Sequence, residues 1–329
     1  MFKKLRYALA ETLVSYKKID RLHARELNDY KHPKMNLGQL QASLNNQKQT
    51  IGNLAEVEFQ VFSQYGDDGI IQYLISHLPI QHKTFIEFGV ENYREANTRF
   101  LLMSNYWSGY VIDGSEANIQ SIRNEDFYGY YDLHAEQCFI TKDNINELLQ
   151  KPGFDPAIGL LSIDIDGNDY WVWKAIEAVQ PDIIICEYNA LFGFTDPVTI
   201  PYEPAFVRGG HRPKSYYGIS LASACMLARD RGYFFIGSNS AGNNAYFIHE
   251  KHRSHCPVAE TTPEAGYRFC VFGEQRGGDG QPLRGVDKVR ALDGVSLIRT
   301  DSGETVSFNA AAVIESLHQH KKWNGIYCP

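Results

Sequence analysis

Asp164 and Asp166 lie two residues apart in the apolar run LLSIDID, so on an extended strand both carboxylates project to one side, and Asp169 follows in the next turn. A second apolar run, DIIICEYN, ends in Glu187 and Asn189, which bring further oxygen atoms to matching depth if the two runs are neighbouring strands. Hard oxygen donors gathered in this way suit Mg2+, which would hold adjacent hydroxyls of a small molecule and lower the pKa of the one that reacts. Asp164, Asp166, Glu187 and Asn189 are therefore the expected metal ligands. The plainer alternative is that one aspartate caps a helix starting near Gly167 while another lines a pocket without metal. A proton must also be removed by a base. The two candidates are Asp166 and His211, the latter in a long loop from 191 to 217 that also carries Arg208, Arg212, Lys214 and paired glycines, as active-site lids often do. His134 reads as structural.

Two further acids fall at strand ends. Glu87 precedes Gly89 in FIEFGVE, where the glycine lets the backbone approach a ligand closely. Asp113 ends GYVID ahead of Gly114 and Ser115, and an acid there is placed to accept both ribose hydroxyls of an adenosine. Ser115 alone would suffice to cap the next helix. A dinucleotide would require G-x-G-x-x-G, whereas EFGVENYREAN has a single glycine, so a pyrophosphate cradle is not expected.

These residues need strands to hold them at one edge. From residue 61 the chain alternates short apolar runs with helical patterns: a helix through IIQYLISHL capped by Asp67, a strand at 84–90, a helix near 95–104, a strand at 109–113, a helix from Ser115, a strand near 133–140, a helix from Asp143, a strand at 158–166, a helix in the early 170s and a strand at 182–189. Such alternation implies right-handed crossovers and a parallel sheet covered on both faces. A helix at 219–231 then leads into YFFIG and AYFIH, joined by the turn-rich SNSAGNN. The expected fold is α/β, a doubly wound, mostly parallel seven-stranded Rossmann-like sheet with an antiparallel last strand. Residues 1–60 are expected to form an N-terminal helical extension and linker, 61–250 the Rossmann-like domain, and 251–329 an appended lid or interface with a hairpin at LIRTDSGETVSF and a final helix near 309–320.

The segments FSQYGDDGII, FIEFGVENYREANT, GYVIDGSEANI and LLSIDIDGNDYWVWKAI resemble the FkbM-like class I methyltransferases. Ser63, Gln64, Gly66, Asp68 and Gly69 match their entry motif, Asn97 and Thr98 their Asn-Thr after the first strand, and Asp164, Asp166 and Gly167 their fourth-strand signature. The acidic cluster is similar to that of TylF-like sugar O-methyltransferases. This resemblance implies an S-adenosyl-L-methionine cofactor held by Gln64, Glu87, Gly89, Asp113, Gly114, Ser115 and Asp164, with Thr141 to Asp143 near the adenine, and Mg2+ as an optional second cofactor. It implies O-methylation of a sugar or sugar-bearing metabolite. The first loop is poorer in glycine than the family pattern, and Asp113 stands where Glu is common. The rival readings are a metal-dependent enzyme of another class using the acidic cluster directly, and a non-catalytic binding protein that keeps the fold.

Bulk properties agree with a small-molecule or glycan acceptor. A net charge of -7 lacks the basic footprint of a nucleic-acid binder. The six cysteines form no C-x-x-C pair, which suits free thiols in a reducing cytoplasm. Phe2, Leu5, Leu9, Leu13, Tyr16 and Ile19 recur at helical spacing between charged residues, an amphipathic helix compatible with a homo-oligomer and too polar for an integral membrane segment. Residues 31–52 read as a linker or weak helix.

Overall fold

Short β-branched and aromatic runs flanked by polar turns dictate most of the strands. The computed structural model describes residues 33–209, 212–270, 273 and 275–322. Its helices are α1 (33–45), α2 (Asp67–His77), α3 (Arg99–Asn105), α4 (Glu116–Arg123), α5 (Ile145–Gln150), α6 (Asp169–Ala175), α7 (Leu221–Asp230), α8 (Pro263–Gly266), α9 (Val286–Arg290) and α10 (Ala310–Gln319). The strands are β1 (Thr84–Phe88), β2 (Ser108–Asp113), β3 (Leu133–Gln137), β4 (Ala157–Ile163), β5 (Gln180–Glu187), β6 (Val198–Thr199), β7 (Tyr233–Ser238), β8 (Asn244–His249), β9 (Ser296–Arg299) and β10 (Thr305–Ser307). The amphipathic segment at 2–19 lies outside the described residues.

Seven strands form one sheet in the order β3-β2-β1-β4-β5-β8-β7. β1 to β5 are parallel, and β8 inserts antiparallel between β5 and β7. This is the Rossmann-like sheet the alternation predicts. Period-two alternation sends Ile86, Phe88, Leu161, Ile184 and Cys186 into one apolar cluster and Phe85, Val111, Leu160, Ile183 and Ile185 into the other, so both faces are buried.

Several local expectations change. Asp67 does not cap α2, whose N-cap is Gly66. Its carboxylate is buried instead, accepting from Tyr246 Oη (2.5 Å), Asn244 Nδ2 (3.0 Å) and Asn239 Nδ2 (3.0 Å), which ties the start of α2 to the β7–β8 turn. The neighbouring Asp68 makes the turn, with one oxygen accepting the N–H groups of Val61, Phe62 and Ser63 at 2.7–2.8 Å. α5 starts at Ile145 rather than at Asp143, with Asn144 at its N-cap. Of the two readings of residues 31–52, the helix holds for 33–45.

The C-terminal segment shares the core of the sheet. Val289, Leu292, Leu297, Phe308, Val313 and Leu317 join the cluster that contains Phe192, Phe194 and Trp173. β9 pairs with β10 and with β6, a strand inside the long loop that follows β5. Cys138, Cys186, Cys225, Cys256 and Cys270 are free thiols. No helix among the described residues is long and apolar enough to cross a membrane.

Candidate active site

Parallel strands leave their carboxyl ends at one edge, and there the tips of β1, β2, β4 and β5 frame a cleft of two joined chambers of about 350 and 370 Å3. Gly89, Glu91, Asp164, Asp166 and Arg208 line both. The first chamber has Asp113 and Gly114 on one side and Phe139 and Ile140 beside them. The second is polar, with Gln64, Asn97, Glu187, Asn243 and Asn244 in its wall.

Asp113 is held in place by its own protein. Oδ2 accepts from Glu91 N–H (2.8 Å), and Oδ1 accepts from Ser115 N–H (2.8 Å) and Asn118 Nδ2 (3.0 Å). A carboxylate has about four lone-pair positions, so acceptor capacity remains on the chamber side. Ser115 does not reach the chamber wall, because its hydroxyl caps α4 by accepting from Asn118 N–H. Gly114 does line the chamber.

Gly89 is required by its neighbours rather than by a ligand. Its φ is +63°, and a Cβ there would stand 1.8 Å from the carbonyl oxygen of Asp164. Gly89→Ala should therefore cost about 2 kcal/mol or more, read as a lowered denaturant midpoint. The following loop adds left-handed backbone at Glu91 (φ 47°) and Tyr93 (φ 60°). Glu87 holds its far end: Oε1 accepts from Asn97 N–H (2.9 Å), and Oε2 accepts from Thr98 N–H (3.1 Å) and the Thr98 hydroxyl. Burial nonetheless pushes Glu87 up to about 7. Glu87 thus positions the loop, although it also lines the second chamber.

Thr141 does not line either chamber. Its N–H donates to Asn144 Oδ1 (2.8 Å) and its Oγ1 accepts from Asn144 N–H (3.2 Å), closing the turn into α5. β3 ends at Gln137, three residues earlier than its apolar run suggests, so Cys138, Phe139 and Ile140 occupy the wall instead. Gln64 lines the second chamber as expected.

The acidic cluster forms with three members. Carboxylate oxygens of Asp164, Asp166 and Glu187 lie within 4.8 Å of one another. Asn189 is not among them, because its Nδ2 donates to the carbonyls of Ser215 (2.8 Å) and Tyr217 (3.0 Å) and its Oδ1 accepts from Leu191 N–H (3.0 Å). Asp169 does not cap α6, whose N-cap is Asn168; its two oxygens accept from the N–H groups of Ile165 (2.8 Å) and Gly167 (2.9 Å) and close the turn that carries Asp166. Burial raises it to about 6.

Glu187 is only 5% exposed, and its Oε2 meets no N–H or O–H donor. Loss of hydration first, and repulsion from neighbouring carboxylates second (Asp166 and Asp169 on Asp164, Asp164 and Asp166 on Glu187), push Asp164 and Glu187 well above the usual carboxylate range. Asp166 sits in left-handed backbone (φ 55°) and forms an ion pair with Arg208. The Arg208 guanidinium also stacks 4.0 Å over Tyr217 and donates from Nε to the Lys214 carbonyl (3.0 Å). Asp166 is thereby a poor candidate for a free base. His211, the other candidate, lies outside the described residues.

The long loop is fastened over this cluster. Asn168 Nδ2 donates to the Glu203 carbonyl (2.8 Å), Trp171 Nε1 donates to the Ile200 carbonyl (2.9 Å), and a Cβ on Gly167 would meet the Phe206 ring at 2.3 Å. Phe206 and Arg208 consequently line the first chamber. Among these, Arg208 stood out in sequence as a lid residue, whereas nothing in sequence marks Phe139 or Phe206.

No family model matches the chain, and no curated protein matches it. Solved structures similar to it include a SAM-dependent methyltransferase from Aquifex aeolicus, at 11% identity over 51% of this chain and 83% of that one with a TM-score of 0.33. An O-methyltransferase from Bacillus cereus in complex with SAH matches at 13% identity over 50% of this chain and 72% of that one, TM-score 0.34. The N-terminal domain of EvdMO1, in the presence of SAH and D-fucose, matches at 11% identity over 50% and 73%, TM-score 0.32. Strand order and direction decide the architecture. The chain has a Rossmann-like doubly wound fold with one antiparallel strand inserted near its edge. Within that fold, the cleft lies where strand order reverses, between β1 and β4.

Proposed function

We propose that the protein is an S-adenosylmethionine-dependent O-methyltransferase acting on a hydroxyl of a sugar or sugar-bearing metabolite. The observation that carries this reading is the junction of two unlike chambers at the acidic cluster, one offering a fixed carboxylate beside an aromatic ring, the other a polar wall. The first chamber fits the donor. Asp113 has the capacity to accept ribose hydroxyls, Phe139 offers a ring face to adenine, and Gly89 and Asp164 stand toward the second chamber, where the methionine end would lie. When bound, S-adenosylmethionine supplies a methyl group on a sulfonium centre.

The second chamber fits a polyhydroxyl acceptor through Gln64, Asn97, Asn243 and Asn244. Its role is to fix one hydroxyl at the cluster, since in-line placement accounts for much of the acceleration in such transfers. The donorless Glu187 Oε2 and the two neighbouring carboxylates also fit a divalent cation, and Asp164, Asp166 and Glu187 would hold Mg2+ there. Bound Mg2+ would lower the pKa of the acceptor hydroxyl. Arg208 already supplies one positive charge to Asp166, so it either shares the cluster with the cation or takes its place.

Isothermal titration calorimetry with S-adenosylhomocysteine, with and without Mg2+, tests the donor assignment. Micromolar binding is expected in both conditions. Absence of binding in both would move the function to another metal-dependent chemistry at the acidic cluster. Mass spectrometry of a monosaccharide and glycoside panel incubated with S-adenosylmethionine then tests the acceptor class.

A further inference from the structure

The turn between β7 and β8 carries three asparagines whose amides can point only one way. Asn239 Oδ1 accepts the N–H groups of Gly242 (3.1 Å), Asn243 (3.2 Å) and Asn244 (3.3 Å), and a backbone N–H can only donate. Asn239 Nδ2 is therefore turned the other way, where it donates to Asp67 Oδ1 (3.0 Å) and to Asn243 Oδ1 (2.8 Å). That fixes the second amide. Asp67 fixes the third, because its buried carboxyl accepts from Asn244 Nδ2 (3.0 Å) as well as from Asn239 and the Tyr246 hydroxyl. Two amide atoms are left over. Asn243 Nδ2 and Asn244 Oδ1 have no hydrogen-bond partner among the described residues, neither atom is sealed from water, and both residues line the second chamber. The chamber wall thus presents a donor and an acceptor from consecutive residues. Asn244 is also the direct partner of Glu187 across β5 and β8, which sets this stretch of wall beside the acidic cluster.

We propose that Asn243 and Asn244 read a second hydroxyl of the acceptor, on the carbon next to the one that is methylated, with Asn239 and Asp67 as the positioning residues that set the polarity of this wall. The inference rests on the reading of the second chamber as the acceptor's. A hydroxyl donates and accepts through one oxygen, so it satisfies both atoms, whereas an ether or a carboxylate only accepts and an ammonium only donates. An acceptor without that hydroxyl would shut the two amide atoms away from water unpaired, which costs binding. Direct cross-strand partners leave room for adjacent hydroxyls of a ring rather than distant ones.

Saturation-transfer NMR of the full chain measures this with trans-1,2-cyclohexanediol, cyclohexanol and 1,2-dimethoxycyclohexane as probes, with and without saturating S-adenosylhomocysteine. The diol should bind roughly tenfold more tightly than either of the others. Asn243→Asp keeps the oxygen that Asn239 holds and turns the open donor into an acceptor, so the preference should fall to about twofold or less. Asp67→Ala frees the Asn244 amide and should lower the preference likewise, while Tyr246→Phe removes another bond to the same carboxyl and should leave it unchanged. A wild-type chain that binds no probe, or binds all three alike, would overturn the inference, as would a preference that survives Asn243→Asp. A preference lost as fully in Tyr246→Phe as in Asp67→Ala would overturn the positioning role and leave the network structural. Failure of S-adenosylhomocysteine to bind would count against the donor reading alone, because the probe preference is measured without it as well.

Discussion

Glu187→Gln, and separately Asp164→Asn, should each lower the methylation rate by about a hundredfold or more, and for Glu187→Gln, at a residue that lines the second chamber alone, S-adenosylhomocysteine affinity should stay within about threefold. The two carboxyls lie at the junction of the chambers, where an acceptor hydroxyl must lose its proton, and neither is tied to a backbone donor as Asp169 and Glu87 are. The pH dependence has a definite sign. Burial and repulsion from neighbouring carboxylates hold both pKa values above the usual range, so the ionised pair forms only as pH rises, and the wild-type rate should climb through that interval. Asp164 is the foremost repelling neighbour of Glu187, so Asp164→Asn removes that repulsion. The remaining rise should then shift to lower pH in Asp164→Asn, with initial rates between pH 5 and 9 as the measurement. Stability moves the opposite way: a folded-state pKa above the unfolded value favours folding at low pH and ceases to do so as pH rises through the folded value. Glu187→Gln should therefore lose less stability than wild type on going to alkaline pH.

Asp113→Asn should raise the dissociation constant for S-adenosylhomocysteine by about a hundredfold, from the loss of charge-assisted bonds worth roughly 3 kcal/mol. An amide keeps the volume but offers one acceptor oxygen where the carboxylate offers two. The Glu91 N–H or the Ser115 N–H would lose its partner, so some of the effect would come from a shifted loop. Asn118→Ala separates the two contributions, because it removes one support of Asp113 and leaves the carboxylate in place. Calorimetry should show a much smaller loss for Asn118→Ala than for Asp113→Asn. Equal losses would mean that the loop, not the carboxylate, makes the donor site.

The strands were legible because they are fully buried runs of Ile, Val, Leu and Phe, and burial on both faces leaves little else that such runs can be. Residues at strand tips were legible as positions and much less so as roles. Glu87, Asp67, Asn189 and Thr141 each stand near the cleft in sequence order, yet each is engaged in closing a turn or a cap, and which N–H groups converge on a carboxylate is settled only by loop backbone. Phe139 was hidden by an apolar run that continues past the last paired residue of β3. The role of the C-terminal segment was invisible for a related reason: β6 has only two residues, too short to announce itself, and it is what receives β9.

That pairing couples distant parts of the gene product. The loop bearing Arg208 is joined to the hairpin of β9 and β10 through β6, through the Thr300 N–H to the Pro197 carbonyl (2.8 Å), and through Arg299 to Asp196 (3.2 Å). Residues near position 300 are thus part of the active-site roof's foundation, although none of them faces the cleft. Drift in that stretch would shift the loop that carries Arg208 while every residue in the chambers stayed the same, and a chain shortened at residue 250 would lose part of the core beneath the sheet together with that support.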